Sequence, residues 1–205
     1  MPFIGNQPTA VPLTGADLTD GIITSAKIAD GTIVNADINA SAGIVSTKLS
    51  GVGFTSGTPV ATTSGTSIDF TSIPSGVTEI TVLFKAVSTN GSSALSIQIG
   101  DGSIVTTGYT NIGGGMSATS LTNTQFTNGF VLADSTSATW ILTGYYTLKR
   151  YANNWFIFGG GIRDTTYPCY SFGGKTLSGT LDRIRITTTG GTDTFDAGEV
   201  NITYL

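Results

Sequence analysis

The amino-terminal segment ADLTDGIITSAKIADGTIVNADI, residues 16–38, sits in a run with an aliphatic residue at every fifth position: Leu13, Leu18, Ile23, Ile28, Ile33 and Ile38. Ala16, Gly21, Ala26, Gly31 and Ala36 stand two positions before the last five of these. A straight α-helix turns about 100° per residue, so a step of five carries successive aliphatics about 140° around the axis and no stripe forms. A straight strand has a side-chain period of two, so an odd step throws successive aliphatics onto opposite faces. The chain must therefore bend at each pentad or change conformation within it.

The spacing resembles the five-residue repeat of right-handed square β-helices, in which the aliphatic points inward and four pentads make one coil. Leu13 to Ile38 would supply about a coil and a half, fewer than the three or more stacked repeats that make such structures stable alone. Each pentad also leaves most of its backbone N–H and C=O groups without a partner of its own. Order is therefore expected to come from further copies of the arm or from the surface on which it docks, and the small residues let backbones approach closely. A flexible Gly- and Ala-rich linker is the competing reading; the unbroken aliphatic positions count against it.

The pentads stop at GVGFTSG, residues 51–57, which divides an amino-terminal arm over 1–57 from a head over 58–205. The head reads as strands. TEITVLFKAV (78–87) alternates Ile80, Val82, Phe84 and Ala86, and ALSIQIG (94–100) alternates Leu95, Ile97 and Ile99. Asn90-Gly91 between them predicts a hairpin, because Asn-Gly readily supplies positive φ angles. Further strands are expected in 129–133, 139–151, 155–162, 181–187 and 199–205, with a second hairpin around Ala152-Asn153-Asn154. Gly113-Gly114-Gly115 and Gly159-Gly160-Gly161 read as loops or bulges. No helical period is present. The fold expected is all-β: an antiparallel, jelly-roll-like β-sandwich preceded by an extended pentad-repeat arm.

Chemistry is thin. The chain of 205 residues contains no His, which removes Ser-His-Asp and Cys-His nucleophilic sites and most zinc sites. Cys169 has no partner for a disulfide and reads as a small buried hydrophobe. GGKT at 173–176 resembles the end of a phosphate-binding loop, but Cys169 stands where that motif needs its first glycine, so it reads as turn chemistry. Asp164 with Asp182, or Glu79 with Glu199, are the carboxylate pairs considered for glycoside hydrolysis. The Asp-Gly dipeptides at 20–21, 30–31 and 101–102 read as turns rather than a calcium loop. No catalytic site, metal or cofactor is expected. Only nine Lys and Arg and a net charge of -4 disfavour nucleic-acid binding. No apolar run of spanning length and no secretory pattern at the amino terminus is present, so a soluble chain without a membrane anchor is expected. Tyr151, Asn153, Asn154, Trp155, Tyr167 and Tyr170 combine flat apolar faces with hydrogen-bonding groups and form a candidate glycan-binding set.

The opening MPFIGNQP, the segment TDGIITSAKIADGTIVNADINAS and the closing LDRIRITTTGGTDTFDAGEVNITYL resemble virion proteins of tailed bacteriophages: tail fibres, head fibres and capsid decoration or cement proteins, including those of cyanophages. The resemblance implies a homotrimer on the virion surface, with an attachment arm bearing Leu13, Leu18, Ile23, Ile28, Ile33 and Ile38 and an outward-facing sandwich. The implied role is non-enzymatic and structural. Its partner would be the major capsid protein or, for a short tail fibre, tail proteins and host surface glycans. An extended arm of about 50 residues reaches on the order of 150 Å, enough to cross several neighbouring subunits.

Overall fold

The computed structural model describes residues 14, 20–39, 41–44, 53–116, 119–133 and 137–205. The chain forms two units, Met1–Ser50 and Gly51–Leu205. The second unit begins with the GVGFTSG segment, in which Thr55 and Ser56 pair with Tyr204 and Thr203. Among the described residues no helix is long and apolar enough to cross a membrane.

In the arm, the repeat is ten residues rather than five. Single 3-10 turns occupy Ser25–Lys27 and Asn35–Asp37, and glycine turns precede each at Gly21 and Gly31, both with φ of 78°. The second glycine turn is closed by the Thr32 N–H on the Ala29 carbonyl at 3.1 Å, and positive φ at its third residue is what makes Gly necessary there. Alternate pentads thus take alternate conformations. The aliphatics sort the same way: Ile23 and Ile33 are 52% and 55% exposed, whereas Ile28 and Ile38 are 39% and 41% exposed. No strand forms among the described arm residues. Leu13 and Leu18 lie outside the described residues.

The head contains β1 (Thr55–Ser56), β2 (Val60–Ala61), β3 (Ser67–Thr71), β4 (Glu79–Thr89), β5 (Leu95–Gly100), β6 (Thr110–Met116) and β7 (Leu121–Phe126). Then follow β8 (Phe130–Val131), β9 (Leu142–Tyr151), β10 (Asn154–Arg163), β11 (Tyr167–Thr176), β12 (Arg183–Thr188) and β13 (Phe195–Tyr204). They make an antiparallel sandwich of two unequal sheets. The long sheet runs β1-β13-β4-β9-β10-β11-β6-β7, with β2 also on β13; the short sheet runs β3-β12-β5-β8. Period-two alternation builds the core between them. Ile80, Val82 and Phe84 of β4, Tyr146 and Leu148 of β9 and Trp155 and Ile157 of β10 join Ile97 and Ile99 of β5, Phe130 of β8 and Ile184 and Ile186 of β12. Asn111 of β6 ties the layers with polar bonds: its Oδ1 accepts the Val131 N–H at 2.7 Å, and its Nδ2 donates to Ser171 Oγ at 2.9 Å and to the Phe172 carbonyl at 3.0 Å.

Two expectations are corrected. Asn90-Gly91 is not a hairpin: β4 pairs with β13 and β9 in the long sheet, β5 with β12 and β8 in the short one. A bulge at Ala86, φ 53°, breaks the alternation of β4 and leaves Val87, Ser88 and Thr89 all buried, so the chain turns inward and crosses between layers. The crossing is held by the Asn90 N–H on the Thr194 carbonyl and the Thr194 N–H on Asn90 Oδ1, both at 2.9 Å. The glycine runs are not loops either. They lie inside β6 and β10, and Gly173-Gly174 lies inside β11. Gly144 and Gly161 stand opposite each other, and a Cβ on Gly144 would fall 2.4 Å from the Gly161 Cα, so these strands accept no side chain at that crossing. The hairpin around Ala152–Asn154 does form, with Tyr151 paired to Asn154 and Ala152 at φ 53°.

Trp155 is 2% exposed, and Phe158, three residues on and on the opposite face, is 65% exposed. Trp155→Ala should cost about 3–5 kcal/mol and Phe158→Ala no more than about 1 kcal/mol, read from urea unfolding midpoints of the full chain.

Candidate functional site on the outer face of the long sheet

The outer face of β10 carries Phe156, Phe158 and Ile162, all half-exposed or more, while Trp155 and Ile157 point into the core. Register extends this into rows across the sheet. Phe158 faces Thr147 of β9 and Phe172 of β11, and Phe172 faces Ile112 of β6. Tyr145 and Tyr170 flank Gly160 in the next row. Ring centroids lie 5.4 Å apart for Phe158 and Phe172, and 5.5 Å apart for Tyr170 and Phe172, within contact range for aromatic pairs.

Glycines set the height of this platform. The Tyr170 ring covers Gly114, where an added Cβ would fall 2.4 Å from the phenol oxygen, and its hydroxyl donates to the Thr122 carbonyl at 3.3 Å. Charge stays at the margin. Lys149 meets Glu79 at 3.1 Å and Lys85 meets Glu199 at 2.7 Å, each across neighbouring strands.

At the end of the platform lies an open groove of about 380 Å³, lined by Gly108, Thr110, Asn154, Phe156, Gly173, Gly174, Lys175 and Thr176. Asn154 Oδ1 accepts a hydrogen bond from the Thr176 hydroxyl. Phe156 covers Gly174, with two ring carbons 3.3 and 3.4 Å from where a Cβ would stand.

The candidate glycan residues are divided by this geometry. Tyr151, Asn153 and Asn154 meet at the β9–β10 turn beside Phe156, and Tyr170 lies on the platform. Tyr167 pairs with Arg163 at the far end of β10, about 30 Å from Asn154 at 3.3 Å per residue. Trp155 is corrected: it is a core residue and presents no surface to a sugar. Tyr151 and Tyr167 are exposed, and Phe156, Phe158, Phe172 and Tyr145 are exposed rings outside the candidate set. The stretch WFIF is apolar on both faces, so alternation alone cannot assign which parity faces outward.

The candidate carboxylates do not converge. Glu199 stands opposite Lys85, six residues along β4 from Glu79, a separation of about 20 Å. Asp164 accepts the Ile141 N–H at 3.2 Å. Asp182 holds Arg183 through two hydrogen bonds, 2.8 and 2.9 Å, and accepts the Gly102 N–H at 3.0 Å. Cys169 is buried, 3.4 Å from the Tyr146 hydroxyl, whose own ionisation is pushed well up by burial. The chain matches no protein-family model, no curated protein and no solved structure.

The bonds from Arg183 and then Gly102 lower the Asp182 carboxyl from 3.8 to about 2. A depressed carboxylate contributes stability that is present above its unfolded value and lost as pH falls through the folded one. The urea midpoint should therefore drop between about pH 4 and pH 2, and Asp182→Asn should flatten part of that drop. High salt should shrink the difference, because the pair is part-exposed.

Proposed function

We propose that this chain is a non-enzymatic structural protein of a phage virion surface. In this reading it is a homotrimeric capsid decoration or cement protein, whose arm docks on the major capsid protein while the β-sandwich faces outward. The observation that carries the reading is the arm. Ile23, Ile28, Ile33 and Ile38 recur in a ten-residue structural repeat, and every one of them is exposed in a single chain. A contiguous set of regularly placed exposed aliphatics is the mark of a surface completed by other chains. Covering each would contribute on the order of 1 kcal/mol, multiplied over the repeats and over the copies. The head, by contrast, closes its own core.

A second reading is favoured by a separate observation, the aromatic face of the long sheet. A short tail fibre whose head touches host surface glycans would use exposed rings bordered by amides and hydroxyls in this way. The sequence places no long segment between the arm and the head, which favours the capsid role, because a fibre needs reach.

Purified particles should carry on the order of hundreds of copies, as a lattice of three-fold sites requires, when counted by gel densitometry. A few tens or fewer would reject the cement role and support the tail one. Replacing Ile28 and Ile33 together with Asp should dissociate the oligomer in analytical ultracentrifugation and abolish particle attachment while leaving the head's urea midpoint unchanged. Retained attachment would mean that the head itself docks.

A further inference from the structure

We propose that the outer face of β9, β10, β11 and β6 is a contact surface between copies of this chain, on which three heads meet ring against ring around a common axis. The inference rests on the homotrimer of the assembly reading and adds to it the face through which the heads touch. Tyr145 of β9, Phe156, Phe158 and Ile162 of β10, Phe172 of β11 and Ile112 of β6 leave the sheet on one parity, opposite to the core residues Tyr146, Trp155, Ile157 and Cys169. Each is about half exposed or more, and the register sets them in adjacent rows, so they form one patch.

The exposed parts of these side chains amount to on the order of 600 Å² per head, at the top of the roughly 300–600 Å² that a monomer's largest apolar patch reaches. Three such faces sharing one core would remove on the order of 1,800 Å² from water, comparable with the roughly 1,600 Å² of a standard specific interface. Divided among three pairs of chains, about 600 Å² each, this is too little to hold lone heads together. The arms must first bring the copies close, and the face then closes at the effective concentration they set. The width also fits. Four strands at about 4.8 Å span about 19 Å, and three such sides enclose an axis about 5–6 Å from each sheet, close to half the roughly 10 Å between packed sheets.

The chemistry of the face selects another copy over other occupants. Among the outward residues of these four strands Lys149 alone is charged, and it sits at one end against Glu79. Charged groups are depleted where an interface is fully buried, and a face without charge gives a partner of opposite sign nothing to recognise. A sugar needs hydrogen-bonding groups beside each ring. In the middle row Thr147, Phe158, Phe172 and Ile112 stand side by side, and the Thr147 hydroxyl is already bonded to that of Thr81 at 3.1 Å. The Tyr170 hydroxyl in the next row already donates to the Thr122 carbonyl. A glycan at the β9–β10 turn would leave that middle row bare, whereas the same row of a second copy covers it.

The test uses full-length protein. Hydroxyl-radical footprinting read by mass spectrometry should find Tyr145, Phe156, Phe158 and Phe172 oxidised several-fold more slowly in the unaltered oligomer than in the chain carrying Ile28→Asp and Ile33→Asp. Phe158→Asp with Phe172→Asp should restore fast oxidation of Tyr145 and Phe156 while the arms keep the chains together in analytical ultracentrifugation. Under a mild oxidant, two Phe158→Cys chains should close a disulfide across the axis and run as a covalent dimer on a denaturing gel. Thr71→Cys, exposed on β3 of the short sheet, should stay single. Rings of the unaltered oligomer that oxidise as fast as those of the Phe158→Asp, Phe172→Asp chain, or a Phe158→Cys chain that cross-links no more than Thr71→Cys, would overturn the proposal. So would protection that appears only when host polysaccharide is added, which would give the face to a sugar. An intact oligomer with unprotected rings rejects the face and leaves the assembly role standing, whereas a monomeric chain or a low copy number on particles rejects that role itself.

Discussion

Four strands cannot cover nine, and this mismatch in width governs the head. At about 4.8 Å between strands, the short sheet shields only the middle of the long one. Where cover exists, alternate residues of β4, β9 and β10 are driven into a shared core with β3, β5 and β12. Beyond it, β7 is exposed along nearly its whole length and is built of Thr, Asn and Gln as well as Leu121. The outer face of the long sheet carries no second layer among the described residues of the head, and its rings are exposed. That face is where the aromatic rows and the groove stand.

The layers are held by apolar burial and by a few buried polar bonds whose geometry is exacting. Asn111 reaches from β6 to β8 and β11, and the Tyr109 hydroxyl accepts the Ile99 N–H at 2.8 Å while donating to the Val105 carbonyl at 2.8 Å. Burial pushes the Tyr109 hydroxyl's ionisation well above its usual value, so it stays a neutral donor. Cross-strand ion pairs such as Asp69 with Arg185, doubly bonded at 2.7 Å, sit at the surface, where water and salt weaken them. Their main effect is to fix register. The arm obeys a different economy, since its turns are satisfied locally but its aliphatics are not covered within the chain.

Much of the fold was legible in the residues. Six of the longer strands, β4, β5, β9, β10, β12 and β13, follow from alternation and β-branched content, and the arm's repeat is visible in its aliphatics. The glycine-rich strands β6 and β11 escaped, because glycine carries no side chain to reveal a period and its usual meaning is a turn. The Asn90-Gly91 crossing escaped for another reason: a local turn signal cannot report that its two flanking strands belong to different layers. The surroundings of the β9–β10 turn were legible only in part. Tyr151, Asn153 and Asn154 lie together because one tight turn joins them in sequence, whereas Thr176 arrives beside Asn154 only through the β10–β11 pairing.

By itself, the sequence determined the class of structure: a weakly charged, His-free, β-rich head and an arm whose aliphatics recur at a fixed interval. These follow from side-chain period and composition, which act locally along the chain. Only the tertiary structure decided which face of each strand is inside. WFIF is apolar at every position, and Trp155 was buried and Phe156 and Phe158 left outside because β10 pairs between β9 and β11 with its Trp155 parity toward the short sheet. One residue of register separates those outcomes, and it is set by the packing of the second layer rather than by anything in the strand itself.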